Sequence, residues 1–286
     1  MTSEQSRTGQ NSCWNFLDEG LRSGEYNMQR DEFLARQLLD STGVPTVRLY
    51  GWKPSAISVG YHQRLDDIDE ARCREEGVDL VRRPTGGRAI FHADEITYCV
   101  TMYSEGKNAA EVYSAISAAL ARGLRKLGAK VEFAASQFPT FQLRGQPRSV
   151  PCFASSARYE IQYEGKKLVG SAQRRYFFST RNDVVLQHGS ILVGPAHKRL
   201  SEFLRLENEI VRTDIVKMMD LKTTDLASIL ARRVDAREIV LALRQGFEEA
   251  WGIQFQNDDH PAELREVEML RGAHRAVGSQ YLPIER

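Results

Sequence analysis

Cys152 and the Lys166-Lys167 pair are side chains of this sequence whose types could support covalent chemistry. The thiol lies in SVPCFASS, residues 149–156, a polar stretch behind a proline where burial as a small hydrophobe is less expected. The two lysines follow in GKKLVGSAQ, residues 165–173. A thiol beside a cation ionises more readily and becomes a nucleophile. A third feature is RRPTGGRAIFH, residues 82–92, where the Gly86-Gly87 pair frees backbone N–H groups to approach a ligand oxygen. His92 closes that motif, and Gln187-His188-Gly189 forms a second histidine–glycine step. The residues alone leave other roles open. The arginines and glycines also suit a solvated hairpin, His188 a buried hydrogen bond, and Lys166 and Lys167 a surface turn.

Four cysteines occur, Cys13, Cys73, Cys99 and Cys152, with no CxxC pair, so a cysteine-built zinc site is not indicated. Cys73 on a helix and Cys99 in the alternating run ITYCVTM read as buried hydrophobes, and all four as reduced thiols. No GxxxxGK[ST] and no helix-opening GxGxxG is present, so neither a P-loop nor a Rossmann fingerprint is supported.

The elements that must position these residues read as mixed. A helix is expected over 27–41, with Asn27 as a possible cap, and strands over 44–50 and 55–61. A short charged helix follows at 66–77, then strands at 78–85 and 89–104 around Gly86-Gly87. The clearest helix is 109–127. Residues 135–157 read as a loop. Residues 158–163 and 166–175 read as a hairpin turned at Glu164-Gly165. Alternation then puts Lys167 and Lys166 on opposite faces, one inward and one solvated. A strand at 183–193 follows, and the chain turns helical from about 196. A capping-box-like start at Asp235 opens a helix over 236–251, and 261–276 forms a last one. Hairpin-linked and helix-linked strands together favour α+β over a doubly wound sheet.

Composition removes several classes. With 39 Lys plus Arg against 38 Asp plus Glu the net charge is +1, without the basic excess of a phosphate-binding surface. A hydrophobic content of 42% excludes an acidic disordered chain. No apolar run reaches the length of a membrane span. The polar start MTSEQSRTGQNS lacks an apolar core and is expected to be a short disordered lead, not a signal peptide, which points to a cytoplasmic protein.

Taken together and in this order, the motifs closely resemble the biotin/lipoate protein ligase and octanoyltransferase superfamily. RRPTGGRAIFH is similar to its RRxTGGGxxxH signature, GKKLVGSAQ to its G-[RK]-K-[LIV]-x-G-[SN]-A segment, and LQHGSILV to the strand that follows. Arg88 stands where many members carry a third glycine. The resemblance covers about residues 14–250. It implies a catalytic domain there with a mixed, largely antiparallel sheet flanked by helices, after a disordered lead (1–13) and before a helical extension (251–286). The PCFASSARYEI segment resembles the central-cysteine octanoyltransferases. That resemblance makes Cys152 the acyl-carrying thiol and Lys167 the lysine that depresses its pKa. It implies substrate binding by Arg82, Gly86, Gly87, His92, Gln187, His188 and Gly189, with no metal and no cofactor.

The implied donor is octanoyl-acyl carrier protein. The implied acceptor is a lipoyl-domain protein, such as glycine cleavage H protein or a 2-oxoacid dehydrogenase E2. Neither nucleic acid nor membrane is an expected partner. Arg82, Arg83, Arg88, Arg174 and Arg175 would form a basic rim toward an acidic acceptor. The alternatives are an ATP-dependent lipoate ligase, an octanoyl amidotransferase between lipoyl domains, and a non-catalytic binding module.

Overall fold

The computed structural model describes residues 13–134, 160–177 and 183–256. The expected loop at 135–157, with Cys152, and the expected helix at 261–276 lie outside the described residues.

The large sheet has six strands in the order β10-β11-β6-β2-β1-β12. They are β1 (Trp14–Arg22), β2 (Thr46–Trp52), β6 (Glu95–Tyr103), β10 (Val169–Phe177), β11 (Asp183–Leu192) and β12 (Phe255–Gln256). β1 runs parallel to β2 and β12, and the remaining pairs are antiparallel. A second sheet of order β4-β3-β5 joins β3 (Ala56–Val59), β4 (Asp79–Arg82) and β5 (Ile90–His92). A third joins β7 (Glu132–Ala134), β8 (Glu160–Tyr163) and β9 (Lys166–Lys167). The α+β, largely antiparallel expectation holds.

Where details depart from the sequence reading, local physics explains them. The single strand expected over 89–104 is two, because Asp94 adopts a left-handed φ of 49° and sends β5 and β6 into different sheets. β1 escapes periodicity because only Trp14 and Phe16 point into the core and its register shifts between Asp18 and Leu21, where Gly20 has φ 60°. α1 (Gly24–Leu39) is capped by Ser23, not Asn27, whose amide instead donates to Gly51 O at 3.1 Å inside the fold. α6 (Ala236–Trp251) is capped by Asp235, as expected, but the Glu238 carboxylate pairs with Arg232 and does not close a capping box.

Each face of the large sheet has its own cover. On one, α3 (Ala109–Lys126) lays Val112, Ile116, Leu120 and Leu124 at helical spacing onto Val47, Leu49, Tyr98 and Val100, and α6 packs beside it with Trp251 against Trp14 of β1 at 4.7 Å. On the other, Met28, Ala35 and Leu38 of α1 pack on Tyr50, Trp52, Cys99 and Leu186. The small β4-β3-β5 sheet has a separate core. It is shared with a 3-10 segment (Pro195–Phe203) and α4 (Glu209–Lys222), and includes Cys73 of α2 (Glu70–Glu75). No helix among the described residues is long and apolar enough to cross a membrane.

The α3–α6 contact is tight because two glycines face each other. A Cβ on Gly246 would lie 2.4 Å from Gly123 N and 2.7 Å from Ala119 O, both backbone atoms that cannot rotate away. Gly246→Ala is therefore expected to push the helices apart at a cost of about 1–3 kcal/mol. A thermal melt should fall by several degrees. An unchanged melting temperature would show that the helix pair yields without cost.

Candidate active site

Arg48 is fully buried on the α1 face of β2. A guanidinium removed from water requires partners on every side. Glu19 accepts from it at 2.8 Å, Asp31 at 2.6 Å and the Asn27 side chain at 2.8 Å, while its plane lies 3.9 Å from the Tyr50 ring centre. Burial pushes the Asp31 carboxyl up. Arg48, with hydrogen bonds from His188 and Tyr50, outweighs that and holds it below its ordinary value. Burial and then the Asp31 charge raise Tyr50 well above a normal phenol.

This network reaches the sheet surface through His188. Its Nδ1 lies 2.9 Å from Asp31 Oδ2 and its Nε2 2.7 Å from Thr85 Oγ1. With Asp31 ionised, Nδ1–H donates to the carboxylate, so a neutral ring accepts from Thr85 at Nε2. His92 is held in a parallel way, with Nδ1 2.9 Å from Glu95 Oε1 and Nε2 2.7 Å from Ser58 Oγ. Its ring stacks on Trp52 at 4.0 Å.

A cavity of about 30 Å³ lies between these two histidines and opens to solvent. Trp52, Arg83, His92, Ser171, His188 and Ser190 are among its walls, and the surface they present is mostly carbon. Gly189 also lines it. Gln187 does not. It is turned toward Tyr98, donating to the phenol oxygen at 3.1 Å, and Tyr98 in turn donates to Ser171 at 2.7 Å. Gln187 thus acts on the wall from behind.

The Gly86-Gly87 turn sits exposed above this region, clamped from below. Arg83 is buried and donates to Gly86 O, Arg88 O and Ser58 O at 2.7–3.1 Å. Gly87 has φ 99°, and a Cβ on Gly60 would lie 2.0 Å from Gly87 O, so both positions require glycine. Arg82 donates to the carbonyls of Gly60, Tyr61 and Gln63 at 2.8–3.0 Å, which makes it a brace for the neighbouring loop. The expected basic rim is largely consumed internally. Arg174 stacks on Tyr61 and Tyr176 and donates to Pro84 O, while Arg175 pairs with Asp183 and Lys107 O. Arg88 is exposed.

The hairpin behaves as alternation requires. Glu164 and Gly165 take φ 50° and 74° at the turn, Lys166 is exposed, and Lys167 is buried. Lys167 Nζ lies 2.6 Å from Glu160 Oε1. Three residues on, Gly170 is already part of the cavity wall, at most about 10 Å along the chain. The structure therefore brings Lys167, His92, His188 and Gly189 to one region. Cys152 lies outside the described residues. Asp31, Arg48, Trp52, Glu95 and Glu160 are site residues that spacing did not reveal. Among the described residues no cluster of His, Cys, Asp and Glu is arranged to hold a metal ion.

Comparison with known proteins gives a consistent set of likenesses. The family profile described as the lipoyl protein ligase A/B catalytic domain matches residues 23–248. The chain is 38% identical over 261 residues to octanoyltransferase LipM of Kyrpidia tusciae, covering 89% of this chain and 93% of that one. It is 33% identical over 281 residues to octanoyltransferase LipM of Bacillus subtilis, covering 95% and 96%. Among solved structures, a bipartite lipoate protein ligase from Thermoplasma acidophilum superposes with a TM-score of 0.69 at 20% identity, covering 92% of each chain. Lipoate-protein ligase A bound with ATP gives 0.68 at 20% identity, covering 93% and 95%. At that identity the two structures speak for the fold.

Asp31→Asn tests the buried network. It removes the charge facing Arg48 and is expected to cost about 3 kcal/mol in urea unfolding at pH 7. Because the folded-state carboxyl is held low, its stabilisation is present above about pH 4 and disappears as pH falls through the folded value. The gap between wild type and variant should therefore narrow on acidification below pH 4. A gap that stays constant would contradict the assignment.

Proposed function

The chain belongs to the lipoyl protein ligase A/B catalytic-domain family and is an acyltransferase, and from that premise we propose that it moves an octanoyl group from acyl carrier protein to the lysine of a lipoyl domain through a thioester on Cys152. The observation that carries this reading is the buried Lys167 ammonium, fixed by Glu160 and set three residues before the wall of a carbon-lined cavity. The relatives named octanoyltransferase, at 33–38% identity over most of both chains, supply the acyl group.

In the first half-reaction the Cys152 thiolate attacks the donor thioester, its S–C bond forms, the donor's C–S bond breaks and the donor leaves as a thiolate, an exchange near neutral in free energy. In the second, the acceptor's neutral lysine amine attacks the Cys152 thioester. The C–N bond forms, the C–S bond breaks, and the amine proton ends on the departing thiolate. That step runs downhill to an amide and needs no ATP. An ammonium within about 4–6 Å favours a thiolate, which is the role of Lys167. Backbone N–H groups of the Gly86-Gly87 turn are donors for the oxyanion. The cavity takes the acyl chain.

Cys73 and Cys99 do not compete. Burial, reinforced by Asp69 and Glu70, pushes Cys73 up to about 11. Burial first, then Asp31, raises Cys99 well above an ordinary thiol. An ATP-dependent ligase would instead need ATP and free lipoate, and would survive loss of Cys152.

Octanoyl-acyl carrier protein offered without ATP should add one octanoyl mass to the wild-type protein and none to Cys152→Ala. No adduct on wild type, or an adduct that persists on the variant, would sink the thioester. Chain length gives a second expectation. At roughly 0.8 kcal/mol per buried methylene, four fewer methylenes cost about 3 kcal/mol. A butanoyl donor should then show kcat/KM lower by about 100-fold, and equal use of both donors would remove the acyl chain from the cavity.

A further inference from the structure

Two side chains of the cavity wall, Ser58 and His92, form with Glu95 a hydroxyl–imidazole–carboxylate series. β3 and β5 pair antiparallel with Ala56 opposite His92, so Ser58, two residues on, lies diagonal to His92 on the same face. Ser58 Oγ is 2.7 Å from His92 Nε2, and His92 Nδ1 is 2.9 Å from Glu95 Oε1. The surrounding donors set the direction of these bonds. Trp52 Nε1 donates to Thr97 Oγ1 at 2.7 Å, and the Thr97 hydroxyl donates to Glu95 Oε1 at 2.6 Å, so that oxygen is an acceptor. Nδ1–H of His92 then donates to the same oxygen and leaves the Nε2 lone pair facing Ser58. At the other end Arg83 donates to Ser58 Oγ at 3.1 Å, which turns the serine hydroxyl toward Nε2. A serine whose proton points at an imidazole oriented by a carboxylate is an activated nucleophile.

The series is held rigidly. The His92 ring stacks on Trp52, and Glu95 Oε2 is buried without a hydrogen bond, so no contact on that side draws the carboxylate away from His92. The other histidine has a comparable series, Thr85–His188–Asp31, in different surroundings. Thr85 is not part of the cavity wall, and Asp31 is also engaged by Arg48 at 2.6 Å and by the Tyr50 hydroxyl at 2.9 Å. Of the two hydroxyls, Ser58 is therefore the one that meets a bound acyl group.

We propose that Ser58 is a nucleophile in its own right, and that with His92 and Glu95 it hydrolyses aliphatic acyl esters and thioesters. This activity goes beyond acyl transfer and does not depend on a thioester at Cys152. Ser58 Oγ attacks the acyl carbonyl as its proton passes to His92 Nε2, and the C–O bond forms. The bond to the leaving group breaks, and that group departs with the proton from Nε2. Water then attacks the acyl-serine and gives a proton to Nε2. The ester bond breaks, Ser58 recovers the proton, and the carboxylic acid is released. Glu95 is a positioning residue that holds the His92 ring, and Arg83 places a positive charge beside the oxygen anion that forms at the acyl carbon.

Two readouts test it. The wild-type protein is treated with an alkyl fluorophosphonate, a serine-directed reagent, and mapped by peptide mass. The phosphonyl group should sit on the peptide carrying Ser58, and its absence there overturns the proposal. Hydrolysis of p-nitrophenyl octanoate is then followed in a parent protein carrying Cys152→Ala, which removes that thiol as a source of product. The parent should turn the ester over, and adding Ser58→Ala should bring the rate down to that of buffer. Adding Glu95→Gln instead should lower kcat by about 100-fold and leave KM in place, a split that a merely structural carboxylate would not give. No turnover by the parent, or turnover at the parent's rate in Ser58→Ala or Glu95→Gln, overturns the proposal. Should a variant fail to fold, the adduct on the wild type decides. Failure of Cys152 to carry an octanoyl group leaves both readouts as expected, so the two readings fail separately.

Discussion

The fold is organised around one guanidinium that has no access to water. Arg48 sits in the middle of the large sheet, and its demand for partners draws Glu19 from β1, and Asn27 and Asp31 from α1, onto one spot. Such a cluster gains little net stability over a hydrophobic one of the same shape. What it supplies is register. α1 can sit on the sheet in only one way if Asp31 is to meet Arg48, and that placement aims the other carboxylate oxygen at His188. A histidine on β11, a threonine in the Gly86-Gly87 turn and a helix near the N-terminus are thereby locked into a common geometry.

The cavity lies where this large sheet meets the small β4-β3-β5 sheet, so its walls come from both. His92 enters from the small sheet and is held by Glu95 of the large one, and Trp52, stacked on His92, donates to Thr97 at 2.7 Å. The helical segment after residue 194 contributes from a distance. It covers the edge of β9 and fixes the backbone of Lys167 without touching the cavity.

How much of this was legible depended on the distance over which each signal acts. The hairpin at Glu164-Gly165, the opposite facing of Lys166 and Lys167, the strand at 183–193 and α3 followed from alternation, turn chemistry and helical spacing within a few residues. The Asp31–His188 pair joins residues 157 positions apart, and no local pattern marks Asp31 as anything but a charge on a helix. Arg48 lies in a strand buried along its whole length and carries no sign of that in sequence. Arg174 and Arg175 stand beside the motifs and read as a docking rim, yet aromatic rings, Asp183 and backbone carbonyls take up their charge. Resemblance to a family pointed to the motifs, whereas the contacts that support them are visible only in three dimensions.

The central claim is that the acyl group rests on the protein between donor and acceptor, and a single-turnover chase tests it most directly. The octanoyl-protein is formed without ATP, separated from its donor by gel filtration, and mixed with a lipoyl domain. The account predicts that the octanoyl mass leaves the enzyme and appears as an amide on the lipoyl-domain lysine with no further addition. An isolated adduct that stays on the enzyme, while donor and acceptor together still react, would contradict it.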